Sequence, residues 1–117
     1  MEKVLIVDDS KFSRELITNF VKALNYEVIG EAVDGLDGIE KCKLLSPDII
    51  ISDIEMPKLN GIEMIEEIRT FNKDVKIVVV TSVVNSQVLQ RVLRLKASIV
   101  KKPIKEQLLV NAINLLD

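Results

Sequence analysis

Histidine is absent from this chain of 117 residues, and cysteine occurs once. Without imidazole there is no His-based triad, no histidine metal ligand and no usual general base. The lone thiol, Cys42, cannot close an internal disulfide; at helical spacing with Ile39 and Leu45 it reads as a small core residue. A positive charge excess is missing too. Lys plus Arg number 16 against 18 Asp plus Glu, so no net basic field holds nucleic acid. Long apolar runs are lacking: the longest, Ile77 to Val84, contains Thr81 and Ser82 and falls far short of the roughly 20 residues of a spanning helix. Met1-Glu2-Lys3 leads into a strand with no signal-peptide layout, which favours a soluble protein in a reducing cytoplasm. Repeats, low-complexity tracts and linkers do not occur. The near-half apolar content suits one domain, 1–117, with a single core and no room for an appended output module.

What is present is acid at the ends of apolar runs. Val4-Leu5-Ile6-Val7 stops at Asp8-Asp9, and Ile49-Ile50-Ile51-Ser52 stops at Asp53. Short β-branched runs cut off by acid read as buried strands delivering carboxylates to one end of a sheet, where open α/β folds bind ligands. Carboxylates gathered at one rim repel each other and call for a hard cation between them; an oxygen-only set completed by water suits Mg2+ better than zinc or copper.

Strand-like runs begin near Lys3, Glu27, Ile49, Lys76 and Ser98, each followed by helical periodicity, which predicts five βα units around a parallel sheet. Phe12, Leu16, Ile17, Phe20, Val21 and Leu24 form the first helical stripe behind an N-cap at Ser10, leaving Lys11, Arg14, Glu15, Thr18 and Lys22 toward water. Leu36, Ile39, Cys42 and Leu45 form the second, closed by Ser46-Pro47, and Ile62, Ile65, Ile68 and Phe71 the third. Val88, Leu89, Val92, Leu93 and Leu95 predict the fourth helix, and Leu108, Leu109, Ala112, Ile113 and Leu116 the fifth. Core packing is the expected role of every stripe. Right-handed crossovers with helices on both faces leave 2-1-3-4-5 as the usual strand order, a doubly wound α/β fold in which Asp8, Asp9 and Asp53 converge at the switch point.

After Asp53 comes Ile54-Glu55-Met56-Pro57-Lys58-Leu59-Asn60-Gly61, where Met-Pro and Asn-Gly mark a tight, irregular connection. This segment resembles the phosphoacceptor segment of response-regulator receiver domains of two-component signalling, the CheY-like family. The Asp8-Asp9 pair after the first strand, Thr81 after the fourth and Lys102-Pro103 after the fifth are similar as well, in the same order along nearly the whole chain.

The resemblance implies a flavodoxin-like (βα)5 fold and a site in which Asp53 is the phosphoacceptor. Asp8, Asp9, Asp53 and the backbone carbonyl of Glu55, with its side chain as a further candidate, would hold Mg2+; Thr81, Ser82 and Lys102 would bind the phosphoryl group. Lys102 is preferred to Lys101 because it precedes Pro103, through a peptide bond that is usually cis in the family. Thr81 takes the hydroxyl position and Ser82 the small-residue position after it. Glu55 and Val83 occupy positions that tune phosphoryl lifetime. Two departures stand out: Ile99 replaces the aromatic switch residue of many relatives, and Leu95-Lys96-Ala97-Ser98 lacks their usual glycine.

A phosphohistidine donor must lie on another protein, since this chain has none, which implies a sensor histidine kinase or a histidine phosphotransfer protein as partner. Output would pass through the surface of the fourth helix, fifth strand and fifth helix, in a monomer or in a dimer formed on activation. The first reading of the pathway is a stand-alone chemotaxis-type regulator acting on an output protein such as the flagellar motor switch. A receiver of a phosphorelay, or of a longer transcriptional regulator, is the alternative. Readings of other classes are a flavodoxin-like small-molecule binding module, which Asp8-Asp9 disfavours where phosphate must be welcomed, and a metal-dependent phosphatase, for which the chain lacks a cap domain.

Overall fold

The computed structural model describes residues 1–117. Five strands and five helices alternate as predicted: β1 (Lys3–Val7), α1 (Lys11–Ala23), β2 (Glu27–Ala32), α2 (Gly35–Leu45), β3 (Ile49–Asp53), α3 (Gly61–Phe71), β4 (Lys76–Thr81), α4 (Ser86–Arg94), β5 (Ser98–Lys101) and α5 (Glu106–Asn114). The sheet is parallel throughout, in the order β2-β1-β3-β4-β5. The continuous apolar runs are explained by burial on both faces. Alternate side chains of one strand feed separate cores: Ile49 and Ile51 join Ile17, Val21, Leu109 and Ile113 under α1 and α5, while Ile50 joins Cys42, Met64, Ile65, Ile68 and Val92 under α2, α3 and α4.

Helix ends follow local chemistry. The side chains of Ser10, Asp34, Asn60 and Asn85 each accept a backbone N–H three residues on, and Asn60 with Glu63 completes a capping box. The missing glycine after α4 does not change how that helix ends. Lys96 takes the left-handed conformation itself, at φ 57°. Its N–H donates to the Leu93 carbonyl (3.0 Å), and that of Ala97 donates to Val92 (3.2 Å), a complete Schellman closure. The Arg69 guanidinium supports the turn by donating to the carbonyls of Leu95 (2.8 Å) and Lys96 (3.2 Å). A side chain in that conformation costs about 1 kcal/mol relative to glycine. Lys96 is exposed and makes no ion pair, so Lys96→Gly is expected to raise stability by about that amount, read as an increase of several degrees in melting temperature.

The helical stripes are not uniformly core. Phe12, Leu36, Phe71, Leu89, Leu93 and Leu108 are exposed, against the expectation that packing absorbs them. Phe12 and Leu36 lie in the first turns of α1 and α2, and Phe71 ends α3. On α4, Val88 and Val92 pack into the core, as does Leu95 at its C-cap, so Leu89 and Leu93, one position on, are carried round to solvent. Arg14 was expected in water and is instead largely covered, with its side chain 15% exposed.

Candidate functional site

Strand register builds the site. Val7 pairs with Ser52, so the next residues, Asp8 and Asp53, stand side by side where β1 and β3 end. Thr81 pairs with Lys101, which brings Lys102 to the same rim from β5. One carboxylate oxygen from each of Asp8, Asp9 and Asp53 can lie within 4.8 Å of the others. Asp9 faces solvent, while Asp8 is fully buried and Asp53 nearly so.

The three acids differ in their surroundings. Asp8 Oδ1 accepts the Ser10 N–H (2.9 Å), but the buried Oδ2 has no hydrogen-bond partner. The Lys102 ammonium lies 3.9 Å from it, an electrostatic neighbour beyond bonding range. Burial pushes the Asp8 carboxyl above the ordinary range; the Ser10 N–H and Lys102 act against this, and the charges of Asp53 and Asp9 reinforce it. Asp53 Oδ1 accepts the Ile54 N–H (2.8 Å), and its Oδ2 accepts from Lys102 Nζ (3.3 Å). Lys102 reaches the pocket from a cis peptide bond to Pro103, while Lys101 faces solvent. A buried carboxylate oxygen without a partner, flanked by two further acids and with no nitrogen or sulfur donor, fits a hard divalent cation completed by water.

Thr81 is buried at the end of β4, and its Oγ1 accepts the Val83 N–H (3.1 Å). The hydroxyl's contact with the Val83 carbonyl is 3.5 Å, too long to commit its proton strongly. Ser82 and Val83 are exposed, and Ile99 is half-buried against the core beneath α2, α3 and α4. The Glu55 side chain is exposed.

The loop carrying Glu55 is held at several points. The Gly61 N–H donates to the Ile54 carbonyl (2.8 Å), and a Cβ at Gly61 would stand 2.1 Å from the Asp53 carbonyl oxygen, so no side chain fits there. Lys58, at φ 67°, lies 3.7 Å from Asp34, and the Gly35 N–H donates to the Leu59 carbonyl (3.0 Å). A Cβ at Gly35 would meet that carbonyl oxygen at 2.2 Å. Asp34 and Gly35 escaped the sequence reading, although Asp34-Gly35 after a strand is a turn signal, and Arg14 was read only as a water-facing residue.

An open parallel sheet with a cation-ready acidic cleft at its switch point, a lysine bonded to one acid and a hydroxyl at the next strand end defines the class of domain. Residues 4–114 match the response regulator receiver domain family, and the chain belongs to it. Chemotaxis protein CheY of Thermotoga maritima is 36% identical over 114 residues, covering 97% of this chain and 95% of that protein. That of Treponema pallidum is 40% identical over 97 residues, covering 81% and 67%. Among solved structures, the CheX-CheY-BeF3-Mg complex of Borrelia burgdorferi matches with a TM-score of 0.92 at 28% identity, covering 96% of this chain and 86% of that one. Vibrio cholerae CheY4 matches at 0.89 and 28%, covering 100% and 99%. Receiver domains in general bind Mg2+ and interact with histidine kinases and output partners.

Proposed function

We propose that this chain is a phosphoacceptor switch in which Asp53 receives a phosphoryl group from the phosphohistidine of a sensor histidine kinase or a histidine phosphotransfer protein. The observation that carries this reading is the unpartnered, buried Asp8 oxygen beside Asp9 and Asp53. Asp8, Asp9, Asp53 and the Glu55 backbone carbonyl would hold Mg2+, which when bound neutralises charge on the phosphoryl oxygens.

In the transfer, an Asp53 carboxylate oxygen forms a bond to phosphorus as the partner's phosphorus–nitrogen bond breaks, and the departing imidazole takes the electron pair and then a proton. Lys102, already bonded to Asp53, remains beside the new phosphoryl group and offsets its charge. Reversal by water breaks the acyl phosphate, releasing inorganic phosphate and regenerating the carboxylate. Glu55 and Val83, exposed beside the rim, govern how readily that water arrives, and the small Ser82 leaves the group room.

Thr81 supplies the switch. Its hydroxyl donates to a phosphoryl oxygen in the modified state, and the Val83 N–H bond seen here rearranges with it. The segment Ser82 to Asn85 then carries the change into α4. Ile99 has no flat ring or polar tip to turn, so the shift runs through this loop and not through an aromatic rotamer. The exposed Leu89 and Leu93 on α4 and Leu108 on α5 favour the α4–β5–α5 surface as the output face. The named relatives favour a cytoplasmic chemotaxis-type regulator, with the flagellar motor switch as its output partner.

Incubation with acetyl phosphate and Mg2+, followed by intact-mass measurement, is expected to add one phosphoryl group to the wild-type protein. Chelation of the metal is expected to abolish the gain; an equal gain in excess EDTA would contradict the assignment.

A further inference from the structure

We propose that Arg14 is a positioning residue for the carboxylate cluster, fixing the turn between β1 and α1 so that Asp8 and Asp9 face Asp53. This rests on the cation-site reading above. The Asp8 N–H donates to the Ala32 carbonyl on β2 (3.0 Å), but β1 ends at Val7 and offers the Asp8 carbonyl no strand partner. Arg14 Nη1 takes that place, donating to the Asp8 carbonyl at 2.8 Å. Nε of the same guanidinium donates to Glu31 Oε1 on β2 at 3.0 Å. The plane of Arg14 therefore bridges the ends of neighbouring strands and grips the one peptide unit whose side chain holds the buried, unpartnered oxygen.

Charge alone predicts the opposite behaviour. Arg14 makes no ion pair with Asp8, Asp9 or Asp53. A cation beside a metal site repels the metal, so a purely Coulombic Arg14 would weaken Mg2+ binding, and its removal would tighten it. A positioning Arg14 strengthens binding despite its charge. Lysine keeps the charge but not the rigid, planar set of donors that bridges two acceptors.

The test uses the full chain with Mg2+ alone as probe, its affinity read by calorimetry and by amide chemical shifts at Asp9 and Ile54, beside melting temperatures in EDTA. Partners that orient metal ligands are typically worth ten- to a hundredfold in affinity, so Arg14→Ala is expected to weaken Mg2+ binding about tenfold or more. Arg14→Lys is expected to recover only part of the loss, and Glu31→Gln to weaken binding less, in the same direction. Tighter or unchanged binding in Arg14→Ala would overturn the proposal, even if its melting temperature fell. Should that variant fail to fold, Arg14→Lys decides: binding equal to wild type overturns the proposal, and weaker binding supports it. A wild-type protein with no measurable Mg2+ affinity would instead overturn the cation site itself, and the proposal with it.

Discussion

Asp53→Asn is expected to abolish phosphoryl acceptance from acetyl phosphate, leaving the intact mass unchanged where wild type gains one phosphoryl group. Asparagine keeps the shape of the side chain and an oxygen able to accept the Ile54 N–H, but a neutral amide oxygen is a poor nucleophile toward phosphorus. The neighbouring acids do not substitute for it. Asp8 is sealed from solvent, with no approach for a donor phosphate. Asp9 is open but lies outside hydrogen-bonding reach of the lysine: Lys102 donates to Asp53 alone among the three. A mass gain in Asp53→Asn equal to wild type would place the chemistry on another residue.

Asp8→Asn is expected to have opposite effects with and without metal. In metal-free wild type, ionised Asp8 is buried with one oxygen unpaired and two acids nearby. Its folded-state pKa is raised, first by burial, so the stability linked to its protonation is fully present below the unfolded carboxylate pKa and is lost as pH rises through the folded value. Above that value the folded protein carries the penalty of the buried charge. The neutral amide removes it, and stabilisation of about 1–2 kcal/mol follows in EDTA, shrinking as pH falls through the raised folded value and gone below the ordinary carboxylate range. Saturating Mg2+ reverses the order: a ligand at a hundredfold its dissociation constant stabilises the wild type by about 2.7 kcal/mol, and the variant, short of one ligand charge and binding about a hundredfold more weakly, gains only about 0.4 kcal/mol. Paired melting curves in EDTA and Mg2+ check both signs.

Much of this was legible because the chemistry is local in sequence. Apolar runs ending in acid fix where β1 and β3 stop, and parallel order then brings those ends together without further information. Pro103 marks Lys102 over Lys101, and the lysine does reach Asp53. What escaped depends on three-dimensional partners. Arg14 occupies a polar position of the α1 pattern, and only its distance to the Asp8 carbonyl and Glu31 shows why it is covered. Apolar periodicity does not say which of two adjacent stripes meets the sheet, so Leu89 and Leu93 look like core in the sequence, while Val88 and Val92 take that side. No glycine follows α4, yet Lys96 adopts the left-handed turn with Arg69 supporting its carbonyls. The hydrogen bond from the Val83 N–H to Thr81 belongs to a loop whose shape no residue pattern announces.

The most direct measurement is to crystallise the protein with Mn2+, a hard cation visible by anomalous scattering, and locate the ion. The account predicts one site within about 2.0–2.3 Å of carboxylate oxygens of Asp9 and Asp53, with Asp8 bonded directly or through a water. An ion bound elsewhere at the surface, with the three carboxylates left apart, would contradict it.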